Sequence, residues 1–100
     1  MQMIDPPALQ QLLTTSDNIQ LIDVREPWEH AAFNIGGRLI PLNSLFDEIA
    51  TIPRDKKVII YCEKGIRSQL AIQRLQQRFG FDNLVNLTGG MYAWRRYFPA

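Results

Sequence analysis

The chain has 100 residues, 46% of them hydrophobic and 21% charged, with a formal net charge of +1. That length fits one compact domain over residues 1–100, able to bury a core without cross-links, and the near-neutral balance offers no field for nucleic acid or anionic lipid. One cysteine, Cys62, and one histidine, His30, make neither a disulfide framework nor a structural metal centre, so no metal or cofactor is expected.

In chain order, "IDPPALQQLL" carries a helix-start pattern: Asp5 can cap, Pro6 suits the first turn, and Leu9, Leu12 and Leu13 share a face. "NIQLIDV" is short and rich in branched residues, a buried strand ending near Asp23. Pro27 opens a brief helix, "PWEHAAF", and Gly36-Gly37 marks a turn. "RLIPL" reads as an edge strand, because Pro41 lacks the backbone donor that a central strand needs. "NSLFDEIATI" has a helical pattern, with Asn43 as cap and Leu45, Phe46 and Ile49 inward, until Pro53 stops it.

"KKVIIYC" is the strongest strand, an apolar run of the kind buried on both faces. The helix after it places Ala71, Ile72, Leu75 and Phe79 inward and Gln73, Arg74, Gln77 and Arg78 outward, and Gly80 ends it. "LVNL" is another short strand, and Gly89-Gly90 leads into a last helix with Met91, Trp94 and Phe98 on one side. Helices and strands alternate throughout. The pattern predicts an α/β fold with a central parallel sheet flanked by helices on both faces. No apolar stretch approaches the length of a membrane span. "MQMIDPPALQQLL" lacks the basic region and apolar core of a secretory signal. A cytoplasmic location, which suits a free thiol, is the expectation.

Cys62 stands where the strongest strand gives way to a helix, at the end of a sheet where ligands bind in such folds. Gly65 lets the following backbone curl, and Lys64 and Arg67 bring two cations. Loop amides and a helix N-terminus add partial positive charge, which favours an ionised, nucleophilic sulfur. Glu63 opposes this slightly. Most buried cysteines are inert, but an inert core cysteine has no use for a glycine and two cations within five residues. The local reading is a reactive thiol.

"CEKGIRS" resembles the active-site loop of the rhodanese sulfurtransferases, whose single-domain members carry C-x-x-G-x-R-S. Upstream, "LIDVREPWEHAAFNIGG" is similar to the family's first signature, and "NLTGGMYAW" to its Gly-Gly segment followed by a tryptophan. The resemblance implies a rhodanese-like three-layer fold and a thiosulfate sulfurtransferase-like enzyme that needs no cofactor. Cys62 would take a sulfane sulfur from a small anionic donor such as thiosulfate and hold it as a persulfide. It would then pass that sulfur to a thiol, cyanide or a sulfur-carrier protein. Glu63, Lys64, Gly65, Ile66, Arg67 and Ser68 would form the substrate-binding loop, with Lys64 and Arg67 drawing in the anion. Asp23 and Arg25 would support the loop through an ion-pair network with Glu26 or Glu29, while His30 would be solvated. Gly89-Gly90 would allow close approach to the active loop.

Two alternatives are weighed against this. Cysteine phosphatases and arsenate reductases use C-x5-R; the span from Cys62 to Arg67 is one residue shorter, up to about 3.5 Å less contour. Tyr61 also stands where those enzymes often place a histidine. A persulfide carrier or partner-binding module without rapid small-molecule turnover is the other. Departures from the family pattern fall at Asn34 and Arg38 in the glycine turn, and at Phe98-Pro99-Ala100, where a glycine is often found.

Overall fold

The computed structural model describes residues 1–99. Its elements are β1 (Gln2–Ile4), α1 (Pro6–Thr15), β2 (Ile19–Asp23), α2 (Pro27–Ala32), β3 (Arg38–Leu39), a 3-10 helix (Leu42–Thr51), β4 (Lys57–Tyr61), α3 (Ile66–Phe79), β5 (Leu84–Leu87) and α4 (Gly90–Tyr97). Among the described residues the strands form one five-stranded sheet in the order β1-β5-β4-β2-β3, and every pairing is parallel. The parallel sheet expected from alternating elements is present.

Alternation along β4 builds both halves of the core. Val58 and Ile60 point to one face, where they pack with Ile22, Leu84 and the α3 residues Ala71, Ile72 and Leu75. Ile59 and Tyr61 point to the other, against Leu9 of α1, Met91 of α4 and Val85 and Leu87 of β5. Helices therefore cover both faces, and β4 at the centre is fully buried from Val58 to Tyr61. Helix starts and stops follow the residues that mark them. Asp5 accepts a bond from the Ala8 amide at 2.9 Å, and Gly80 closes α3 in the left-handed conformation at φ 68°.

Three details differ from the sequence reading. β1 is an additional edge strand, aligned on β5 with Gln2 opposite Val85 and Ile4 opposite Leu87; three residues are too few to show a strand period. The segment from Leu42 is a 3-10 helix rather than an α-helix, entered from Pro41 and not capped by Asn43. Its i→i+3 bonds include Ser44 N–H to the Pro41 carbonyl at 2.8 Å. Leu45 is buried as expected, but Phe46 is 38% exposed and lies edge-on against Phe79 with ring centroids 5.3 Å apart. Phe79 is likewise at the rim of its helix stripe rather than inside it. No helix of the described residues is long and apolar enough to cross a membrane.

Candidate active site

β4 delivers its chain to the carboxyl edge of the sheet, and Cys62 is the first residue beyond it. The turn that follows is shorter than the sequence implied. Gly65, at φ 89°, already precedes α3, so Ile66, Arg67 and Ser68 belong to the helix's first turn. This sharp reversal aims two backbone amides back at the sulfur: Gly65 N–H at 3.1 Å and Ser68 N–H at 3.3 Å from Cys62 Sγ. The Ser68 hydroxyl lies 3.3 Å from Sγ and donates to Asn86 Oδ1. Asn86, wholly buried in β5, also offers its Nδ2 to the Gly65 carbonyl at 3.5 Å.

The turn is held from behind by α4. Met91 N–H donates to the Cys62 carbonyl at 2.9 Å and Tyr92 N–H to the Glu63 carbonyl at 2.8 Å. Such closeness requires the glycines before them. A Cβ on Gly90 would strike the Cys62 carbonyl oxygen and come within 2.7 Å of the Glu63 carbonyl, and one on Gly65 would lie 3.1 Å from the Gly89 amide. The expected approach of Gly89-Gly90 to the loop is thus a main-chain contact.

Cys62 itself is only 1% exposed, yet it lines a cavity of about 250 Å³ with Glu63, Lys64, Ile66 and Arg67. Ile66 is 72% exposed at its mouth, and Lys64 extends over the Tyr92 ring, 5.9 Å from its centroid. A larger cavity of about 480 Å³ lies alongside, lined by Arg25, Trp28, Glu29, Ala32, Phe33, Glu63 and Arg95.

The charges are arranged differently from the expected network. Arg25, buried, bonds Asp23 through Nε and Nη2 and reaches Glu63 Oε1 at 3.1 Å, so its partner in the loop is Glu63 and not Glu26 or Glu29. Burial works against the charge on Arg25, but the Asp23 carboxylate more than offsets it, and the guanidinium is held above its ordinary range. Glu63 is bonded on its other oxygen by Arg95. His30 is not simply solvated: its Nδ1 sits 2.9 Å from Asp23 Oδ2.

Glu29 instead takes Arg67. The two guanidinium nitrogens each donate to one Glu29 oxygen at 2.7 Å. That bond brings the Glu29 carboxyl down to about 2 against the opposing effect of burial, and raises Arg67. In the glycine turn, Asn34 accepts from Gly36 N–H at 2.8 Å, and Arg38 pairs with Glu48 at 2.9 Å on the surface. These departures from the family pattern have local partners outside the Cys62 cavity.

Sequence reasoning missed Asn86, Arg95 and the Glu29–Arg67 pairing. The one available signal was a lone asparagine inside the apolar strand "LVNL", since a buried amide must find partners.

The Rhodanese-like domain family model matches residues 5–97. The chain is similar to a sulfurtransferase of Allochromatium vinosum, 37% identical over 95 residues, covering 94% of this chain and 88% of that protein. It is 34% identical over 100 residues to the thiosulfate sulfurtransferase GlpE of Pseudomonas paraeruginosa, covering 99% of this chain and 88% of the relative. Among solved structures, the crystal structure of a rhodanese-like domain protein from Staphylococcus aureus superposes with a TM-score of 0.86 at 33% identity, covering 94% of this chain and 91% of the other. With a parallel sheet between two helical layers, a cysteine at the end of its central strand, and this agreement over nearly its full length, the chain belongs to the rhodanese-like domain family.

Proposed function

We propose that the protein is a sulfurtransferase in which Cys62 carries the sulfur as a persulfide. The observation that carries this is the pair of amides at 3.1 and 3.3 Å from the sulfur of a cysteine that lines a small cavity. Backbone donors fixed in place stabilise negative charge on sulfur without reorganising during reaction. The names of the relatives, a sulfurtransferase and a thiosulfate sulfurtransferase, point to the same chemistry.

With thiosulfate, the Cys62 thiolate attacks the outer sulfur; a new S–S bond forms, the donor's S–S bond breaks, and sulfite leaves with the electron pair. The product Cys62 persulfide anion keeps the cradle's charge unchanged, so the same amides serve both states. A nucleophilic acceptor then takes the outer sulfur and restores the thiolate; cyanide would leave as thiocyanate. In this reading Glu63, Lys64, Gly65, Ile66, Arg67 and Ser68 shape the donor site, and Asp23 and Arg25 steady it through Glu63. Thiols or a sulfur-carrier protein are the acceptors that suit a cell, and a reducing compartment such as the cytoplasm suits a lone thiol.

Mass spectrometry after thiosulfate treatment should find one added sulfur on the wild type and none on Cys62→Ser. Loading of the mutant would refute the assignment. Turnover in a thiosulfate:cyanide assay would separate an enzyme from a carrier that accepts sulfur only from a protein.

A further inference from the structure

Arg67 lines the Cys62 cavity, where a guanidinium would be expected to receive an anionic donor. Its charge is already answered. Glu29 binds both terminal nitrogens at 2.7 Å, in the fork-to-fork geometry that makes such pairs strong. The carboxylate does not drift into this position. Glu29 Oε1 also accepts the Glu26 backbone N–H at 3.0 Å as part of the capping box that starts α2, so the helix start presets the side chain. The Glu29 side chain is 11% exposed against 36% for Arg67, which shields the pair from solvent on the carboxylate side. Because the Glu29 carboxyl lies at about 2, it stays ionised throughout the neutral range.

We propose that Glu29 is a specificity-determining residue: its two-pronged bond to Arg67 cancels the guanidinium charge beside the Cys62 cavity and holds down the protein's use of small oxyanion donors. The inference rests on Cys62 as the sulfur-accepting group and concerns which donors reach it. Glu29 lines the larger neighbouring cavity while Arg67 lines that of Cys62, so the pair stands between the two. Lys64, which makes no ion pair among the described residues, is then the lining cation left uncompensated. A single flexible ammonium gives a dianion less directed binding than a forked guanidinium does.

The test compares wild type, Glu29→Gln and Glu29→Asp with thiosulfate and with a small alkyl persulfide, which carries no oxyanion group. With the persulfide, the thiolate takes the terminal sulfur, one S–S bond replaces another, and the donor leaves as its thiolate. Glu29→Gln should lower the KM for thiosulfate about tenfold, the worth of one charge-assisted hydrogen bond, with little change in kcat. The ratio of thiosulfate to persulfide use should rise with it. Glu29→Asp, charged but too short to hold both nitrogens, should fall between and serves if the glutamine variant does not fold. Titration of thiosulfate into Cys62→Ser and into Cys62→Ser with Glu29→Gln reads the same affinity change without chemistry. An unchanged or raised KM and affinity, with only the melting temperature lowered, would overturn the proposal and leave the pair as a tie between α2 and α3. Absence of sulfur loading in wild type and variants, alongside tighter thiosulfate binding to the double variant, would instead count against the persulfide reading alone.

Discussion

Ser68 has one hydroxyl proton and two neighbours for it. Asn86 Oδ1 accepts that proton, while Asn86 Nδ2 faces the Gly65 carbonyl, which fixes the amide's orientation. The hydroxyl proton is therefore turned to Asn86 and not to Cys62 Sγ, and the two donors fixed on the sulfur are main-chain amides. Ser68→Ala should leave Asn86 Oδ1 buried without its partner and cost about 1–3 kcal/mol in urea unfolding, yet still load sulfur from thiosulfate. A folded Ser68→Ala protein unable to load would give the hydroxyl a direct part in the reaction. The place of Cys62 was legible in the sequence because strand, glycine and cations are its chain neighbours. Asn86 was not, since its partners lie 18 and 21 residues away and adjacency in the chain says nothing of them.

α4 places its first amides against the turn that carries the sulfur, and Gly90 makes room for it. Gly90→Ala would put a methyl group into the Cys62 and Glu63 carbonyls at a backbone angle, φ 58°, that side chains resist. The change should cost at least about 2 kcal/mol and reduce sulfur loading in proportion to how far the turn moves; unaltered stability and loading would show that α4 does not fix the turn. The link between α2 and α3 has a pH signature of its own. Arg67 depresses the Glu29 carboxyl from its usual 4.5 to about 2, so its stabilisation is complete above 4.5 and is lost as pH falls toward 2. Relative to wild type, Glu29→Gln should flatten the fall in stability over that range. Elements with strong periodicity or strong punctuation, such as α1, β4 and α3, could be read in advance. The 3-10 helix could not, because its apolar spacing also suits an α-helix, and its i→i+3 bonds, such as Ser44 N–H to the Pro41 carbonyl, are visible only in the fold.

Across the whole molecule, the alkaline limit belongs to the same central strand that presents the sulfur. Burial, aided by the Asp23 charge, pushes the Tyr61 phenol up to about 12, while the Gly37 amide, donating to its oxygen at 3.2 Å, pulls the other way. The neutral phenol's contribution is whole below its usual 10.0 and disappears as pH rises toward 12. Tyr61→Phe should therefore lose less stability between those values than wild type does, measured by urea unfolding at each pH. The layered parallel sheet was legible from alternating elements, whereas β1 was not, because its only mark is the partner strand it meets 83 residues later, Gln2 beside Val85. Dependence of the Cys62 turn on Met91 and Tyr92 has a temporal side. During translation Cys62 is made some 29 residues before Met91, so the nascent loop at first lacks the amides that brace it. The turn around the sulfur is therefore braced on its α4 side only once that helix has been made and has docked.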